Sequence, residues 1–573
     1  MAHSFDRRSI LKTGAAAVAA PYLWLPARAK AADWHAEQNA LWVTKTVGPF
    51  VEVEIASGRI RGGHSRGALA FKGIPYAGPV SGKNRFKAAP PVTPWKGVRD
   101  ALRLGPPALQ GPGTTFGEHE PAYSEDCLVL NVWTPAVNDG RKRPVMFYCH
   151  GGGWTTGSGG QNIQDGGHLA AAYDVVVVAL NHRLGLLGFL YLGELGGEEY
   201  ATSGNQGMLD IVDALKWVKE NIATFGGDPG NVFVFGESGG GFKTGAVMAM
   251  PVAQGLFHKA GMQSGAMLRG TPKDIATETA RRVLAGLGIS PKNLDKLAEV
   301  PAEKLVAIQL DGEKGQGPLA TPTECWNTTH AAPPSGWAAL RTARPGGWGP
   351  VVDGTYLPHN PFDPVAPAIS ASVPLLIGNM LEEAIFSERN NPAFFHMDEA
   401  AVTALARQHL GEAADRILAV YRQAMPKATP VERAIAIETG LFMGNNTFVL
   451  ADRKAAQPAP VYRYIDGYQS NFPIQGTDRT YGSGHASDIS VAFLNYKIYD
   501  LQGNGPGLAE AAKAMSSYFA SFARNGVPTA EGQPAWPRYD TNKRATMLLN
   551  SECRVADDPQ SEERKLWESL GWG

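Results

Sequence analysis

The segment VEVEIASGRIRG (51–62) alternates apolar and polar side chains on either side of an SG pair, the pattern of a β-hairpin with one buried face. Further along, PVMFYC (144–149) and VVVVAL (175–180) are short unbroken apolar runs, which predict strands covered on both faces. VFVF (232–235), PLLIG (374–378) and VYRYI (461–465) read as strands too. Between Gly207 and Phe225 the period changes. Met208, Ile211, Val212, Leu215, Val218 and Ile222 recur at steps of three and four, the stripe of an amphipathic helix. A second helix opens after Ser238, in GGGFKTGAVMAM. Alternating strands and helices predict an α/β fold with a mostly parallel central sheet and helices on both faces. Residues 311–349, rich in Gly, Pro and Thr around Trp326, Trp337 and Trp348, read as loop or short helices over the sheet edge, near the substrate.

Composition narrows the class. The chain has 573 residues, 44% of them hydrophobic, enough for a large core. With 53 basic against 54 acidic residues and no charged block, neither nucleic acid nor an acidic polymer is expected as a partner. The 67 glycines suit a loop-rich enzyme rather than a coiled coil. No internal repeat or linker divides the chain after its first residues. The opening itself reads as an address. FDRRSILK places Arg7 and Arg8 together, an apolar stretch follows, and ARAKAA offers A-x-A spacing. This resembles a twin-arginine signal peptide over residues 1–31, cut near Ala29 or Ala31, ahead of a single domain over 32–573 exported to a bacterial periplasm or secreted. No later stretch is long and apolar enough to span a bilayer, so no stable membrane insertion is expected. Cys127, Cys149, Cys325 and Cys553 show no metal spacing and no H-E-x-x-H occurs, so no metal is expected. Cys149 ends an apolar run and reads as a buried small hydrophobe. A Cys325–Cys553 bridge is left open.

Ser238 in GESGG raises the question of nucleophile or turn residue. G-x-S-x-G alone decides little in a glycine-rich chain, and Gly63, Ser65 and Gly67 repeat it. Context separates the two. Ser65 lies in a hairpin-like segment and reads as a surface turn. Ser238 follows the VFVF strand and precedes a helix, the strand–turn–helix that a nucleophile elbow requires. The turn is too sharp for side chains at 236 and 240, and the helix start aims amide N–H groups at the site. Upstream, CHGGGW ends another strand with Gly151, Gly152 and Gly153, whose amides are free to face a substrate oxygen.

FGGDPGNVFVFGESGG (225–240) resembles the nucleophile signature of the type-B carboxylesterase/cholinesterase family of the α/β-hydrolase superfamily. SEDCLVLNVWTP (124–135) is similar to its second signature. FKGIPYAGP (71–79), NHRLGLLGF (181–189) and GNQGMLDIVDALKWVKENIA (204–223) follow in order, so the resemblance runs from about Val51 to the C-terminus. It implies Ser238 as nucleophile and the amides of Gly152, Gly153 and Gly239 as oxyanion hole. The family's acid is usually a glutamate, which IGNMLEEA (377–384) matches with Glu383, beside the competing Glu382. The family's histidine matches His485 in GSGHASD (482–488). The order Ser, acid, His is the one expected of this fold. The cysteine that usually pairs with the one at position 127 is replaced by Ala108, which leaves Cys127 a buried thiol.

The resemblance therefore implies an enzyme, a serine carboxylesterase. Ser238 attacks an ester carbonyl, His485 takes and returns the proton, Glu383 orients His485, and water clears the acyl-enzyme. Glu237 either steadies the charged histidine or bonds within the elbow. Trp154 walls the pocket or fills the core. A small-molecule ester is the expected partner, and no cofactor is expected. Two alternatives stay open: a non-catalytic adhesion or binding member of the superfamily, and an amidase, carbamate hydrolase or lipase using the same triad.

Overall fold

The computed structural model describes residues 46–111, 122–313, 316–319, 347–498 and 500–571. The proposed signal segment, Trp326, Trp337 and Cys325 lie outside them. Thirteen of the described strands form one sheet: β1 (Val47–Ile55), β2 (Gly58–Ser65), β3 (Ala68–Pro75), β4 (Val98–Asp100), β5 (Val129–Thr134), β6 (Arg143–Cys149), β7 (Val176–Leu180), β8 (Gly227–Glu237), β9 (Lys259–Gln263), β10 (Leu375–Met380), β11 (Val461–Asp466), β12 (Ala545–Leu549) and β13 (Arg554–Asp557). Their spatial order is β1-β2-β3-β5-β7-β6-β8-β9-β10-β11-β12-β13, with β4 beside β2. From β7 through β12 every pairing is parallel, and antiparallel strands flank this block on both sides.

The hairpin read at 51–62 is β1–β2, turning at Ala56–Ser57. The next turn carries Ser65. Arg66 at φ 49° and Gly67 at φ 82° make the tight β2–β3 connection, which needs left-handed backbone at both central positions. Ser65 is thus a turn residue but not a surface one. It is 5% exposed, because the helix Gly167–Tyr173 packs over it.

The unbroken apolar runs are the central strands. Phe233 and Phe235 share one face of β8 and pack edge-on against Phe519 of the helix Leu508–Asn525. Val232 and Val234 point the other way and are equally buried, as a two-residue period demands of a strand covered on both sides. The helix predicted between Gly207 and Phe225 is α1 (Gln206–Asn221), continued by a 3₁₀ turn Ile222–Phe225. Its six stripe residues are all fully buried. Trp348, at the edge of the Gly/Pro-rich stretch, is buried as well.

The order β7-β6-β8 is what creates a site. The chain leaves β6 toward β7 on one side, then returns to place β8 on the other. Connections diverge at that point, and a crevice opens beyond the carboxyl ends of the strands. The GGG loop after β6 and Ser238 after β8 both lie there.

Candidate active site

Ser238 is the residue between β8 and α2 (Gly239–Val247), with φ 55° and ψ −120°. A non-glycine residue in that sparsely populated region costs about 1–3 kcal/mol, and persists only where the surroundings enforce it. Here the enforcement is visible. Ser238 N donates to Gln263 O at 2.8 Å, and Ser238 O accepts from Phe242 N at 3.1 Å. A Cβ at Gly240 would strike the Cys149 carbonyl, and one at Gly236 would lie 2.7 Å from Gly240 Cα. The glycines around the serine are therefore required by the closeness of β6 to the turn.

The loop after β6 approaches from the other side. Gly152 and Gly153 adopt φ 84° and 59°. A Cβ on Gly152 would lie 2.6 Å from Thr156 Oγ1, whereas Gly153 faces open space. Gly152 O accepts from Thr155 N (3.3 Å), Thr156 N (3.1 Å) and Thr156 Oγ1 (3.1 Å). In a trans peptide the N–H points opposite to the preceding C=O. Tying Gly152 O to the threonines therefore turns Gly153 N–H away from them. Gly239 backs directly onto this loop: a Cβ there would lie 2.6 Å from Gly153 Cα.

His485 lies in the segment after β11, and its ring is 3% exposed as a residue. Nδ1 is 2.5 Å from Glu383 Oε2, and Glu383, fully buried, also accepts from Met380 N at 2.8 Å. Glu382, the competing carboxylate, turns elsewhere: its Oε2 accepts from Ser483 N (2.9 Å) and Gln469 Nε2 (3.0 Å). On the far side of the ring, Nε2 meets Glu237 Oε1 at 3.3 Å. Ser238 Oγ forms no hydrogen bond to that nitrogen among the described residues. The Glu237 oxygen, contributed by the residue next to the serine, stands before it instead. Phe386 and Phe442 pack on the ring at 5.3 and 5.1 Å and shield it from water.

This is a strongly charged pocket for one imidazole. Burial alone would lower the His485 pKa, but Glu237 and Glu383 raise it to about 9. Burial also pushes the Glu237 carboxyl well above the usual carboxylate range, against the pull of His485. Asp488, buried and bonded to Gln263 Nε2 at 2.8 Å, is pushed up to about 6 by desolvation.

Trp154 follows Gly153, is 7% exposed, and packs between Phe189 (5.4 Å, edge-on) and Phe242 (6.3 Å, stacked). Cys127 and Cys149 are buried free thiols, and Cys553 Sγ contacts Asn550 O. Among the described residues no group of three His, Cys, Asp or Glu side chains is arranged to hold a metal ion. No described helix is long and apolar enough to cross a membrane. Phe386, Phe442, Asp488 and the buried Lys243 beneath the GGG loop were not singled out from the sequence. Of these, only Asp488, three residues after His485 in a short motif, left any local trace.

The profile of the carboxylesterase family matches residues 49–567. Para-nitrobenzyl esterase of Bacillus subtilis is 34% identical over 530 residues, covering 90% of this chain and 98% of that protein. Liver carboxylesterase of Sus scrofa is 30% identical, covering 93% and 95%. Among solved structures, a Geobacillus stearothermophilus carboxylesterase superposes with a TM-score of 0.74 at 34% identity, covering 90% and 99%. The sheet and its helices thus have the α/β-hydrolase arrangement of these carboxylesterases.

Proposed function

Because the chain belongs to the carboxylesterase family and is a carboxylic ester hydrolase of that type, we propose that it works through a Ser238–His485–Glu383 triad and an acyl-enzyme. The observation that carries this reading is the buried 2.5 Å contact between Glu383 and His485, whose Nε2 lies 3.3 Å from Glu237, the residue before a serine held in strained backbone. The Nδ1–Glu383 bond fixes the tautomer, so Nε2 is the nitrogen that takes the Ser238 proton. Hydrogen bonds of this kind tighten when substrate enters, and Ser238 Oγ then replaces Glu237 Oε1 before Nε2. The hydroxyl oxygen attacks the ester carbonyl, and Gly152, Gly153 and Gly239 N–H groups receive the oxyanion. Each such donor is worth about 10²–10³ in rate. His485 then gives its proton to the departing alkoxide, and later activates the water that releases the acid. Glu237, beside the serine, favours the charged form of the ring.

The substrate class follows the relatives: a small-molecule carboxylic ester, with a p-nitrophenyl ester as the natural first assay. Ser238→Ala should abolish p-nitrophenyl acetate turnover while leaving the fold intact. Unchanged turnover would overturn the assignment.

Export by the twin-arginine route is proposed on the opening residues alone. Replacing Arg7 and Arg8 by Lys should trap the enzyme in the cytoplasm of the producing cell, and normal export of that variant would refute it.

A further inference from the structure

Lys243 lies on α2, five residues after Ser238, and is completely buried. A buried lysine is rare unless something holds it. Its Nζ donates to the main-chain carbonyl of His150 at 2.7 Å. That carbonyl belongs to the residue immediately before the GGG loop.

The next carbonyls along the chain are held too. His150 Nδ1 is 2.8 Å from Gly151 O, which makes Nδ1 the protonated nitrogen. Gly152 O is held by Thr155 and Thr156. Three successive carbonyls, 150, 151 and 152, are thus each held by a partner of their own. Since each N–H opposes the preceding C=O, the same bonds fix the orientation of the Gly151, Gly152 and Gly153 amides. Glycine alone does not choose this arrangement, because it samples both signs of φ freely. The loop needs external anchors, and Lys243 is the first of them.

The other charged and titratable groups around Lys243 explain how it is tolerated. His150 and His182 stack at 4.9 Å, and burial together with the Lys243 charge keeps both neutral. Burial pushes the Lys243 ammonium down to about 7, with Cys149 and Glu237 pulling the other way. Either charge state of Nζ carries an N–H for the carbonyl, so the anchor survives titration.

We propose that Lys243 is a positioning residue for the oxyanion hole: from the nucleophile's own helix it fixes the His150 carbonyl and so couples the GGG loop to Ser238. This rests on the triad reading above. A lysine that merely filled the core would affect stability; one that sets the loop affects transition-state binding.

The test compares wild type with Lys243→Met, which keeps the volume and loses the donor. Lys243→Ser, too short to reach His150, is the second variant. Active sites are counted by stoichiometric phosphonate labelling, so that kcat refers to folded enzyme. A loss of about 10–100-fold in kcat toward p-nitrophenyl acetate is expected, with KM nearly unchanged, since small displacements of catalytic donors cost this much. Affinity for a trifluoromethyl ketone, which forms an oxyanion with the serine, should weaken by a similar factor. Either folded variant with wild-type kcat per site and wild-type ketone affinity would overturn the proposal. Wild-type protein lacking serine-dependent turnover would instead overturn the triad reading.

Discussion

Glu383 and Glu382 are adjacent in sequence, yet one carboxylate reaches His485 Nδ1 at 2.5 Å and the other grips the Ser483 amide at 2.9 Å. Neighbouring side chains in this turn serve the same loop in different ways. One orients the imidazole, and the other ties down the chain two residues before it. Glu383→Gln should therefore lower kcat about 10³–10⁴-fold, the cost of a misassigned tautomer in such triads. Glu382→Gln should stay within about 10-fold and cost about 1 kcal/mol of stability through one weakened hydrogen bond. Steady-state kinetics on both variants, with the reverse ranking as the contrary result, checks this.

The raised pKa of His485 predicts a shifted pH profile. The ring must be neutral to accept the Ser238 proton, so a pKa raised from 6.5 toward about 9 moves the acid limb of kcat/KM to higher pH. Glu237→Gln removes the charge 3.3 Å from Nε2 and should move that limb back toward lower pH. A profile that Glu237→Gln leaves in place would show that Glu237 is not coupled to the base.

The strain at Ser238 predicts a trade between stability and activity. Glycine at 238 relieves φ 55°, ψ −120°, and should raise the unfolding free energy measured in urea by about 1 kcal/mol, while destroying turnover. Ser238→Ala keeps the Cβ and should gain no such stability.

The contact between Gly239 and the GGG loop yields another test. A methyl group at 239 would lie 2.6 Å from Gly153 Cα, so Gly239→Ala must push the loop away from the serine. A loss of about 10²–10³ in kcat is expected, comparable to one missing oxyanion donor. Full activity would mean that the loop yields without losing its amides.

Much of this was legible in the sequence because it is local. The unbroken valines of β7 announce a strand buried on both faces, and the Met208–Ile222 stripe announces α1. The elbow is also local, since the glycines at 236 and 240 and the strand before them occupy one short segment. What the sequence withheld depends on distant chain segments meeting. The Gly67 turn reads as surface until a helix a hundred residues later covers Ser65. Glu382 and Glu383 are chemically alike, and only the path of the 483–485 loop tells them apart. Lys243 looks like an ordinary helical lysine until the return of α2 across β6 brings its amine to His150. Phe386 and Phe442 belong to different helical segments, and their common target, one imidazole, has no signature in either.

The central claim is that the hydroxyl at 238 becomes acylated. The direct measurement is rapid acid quench of enzyme mixed with p-nitrophenyl butyrate, followed by peptide mass mapping. The account predicts a butyryl adduct on the peptide containing Ser238, formed with a burst of one equivalent of p-nitrophenol. A burst whose adduct maps to another residue, or turnover of the wild-type enzyme with no covalent species in the quenched samples, would contradict it.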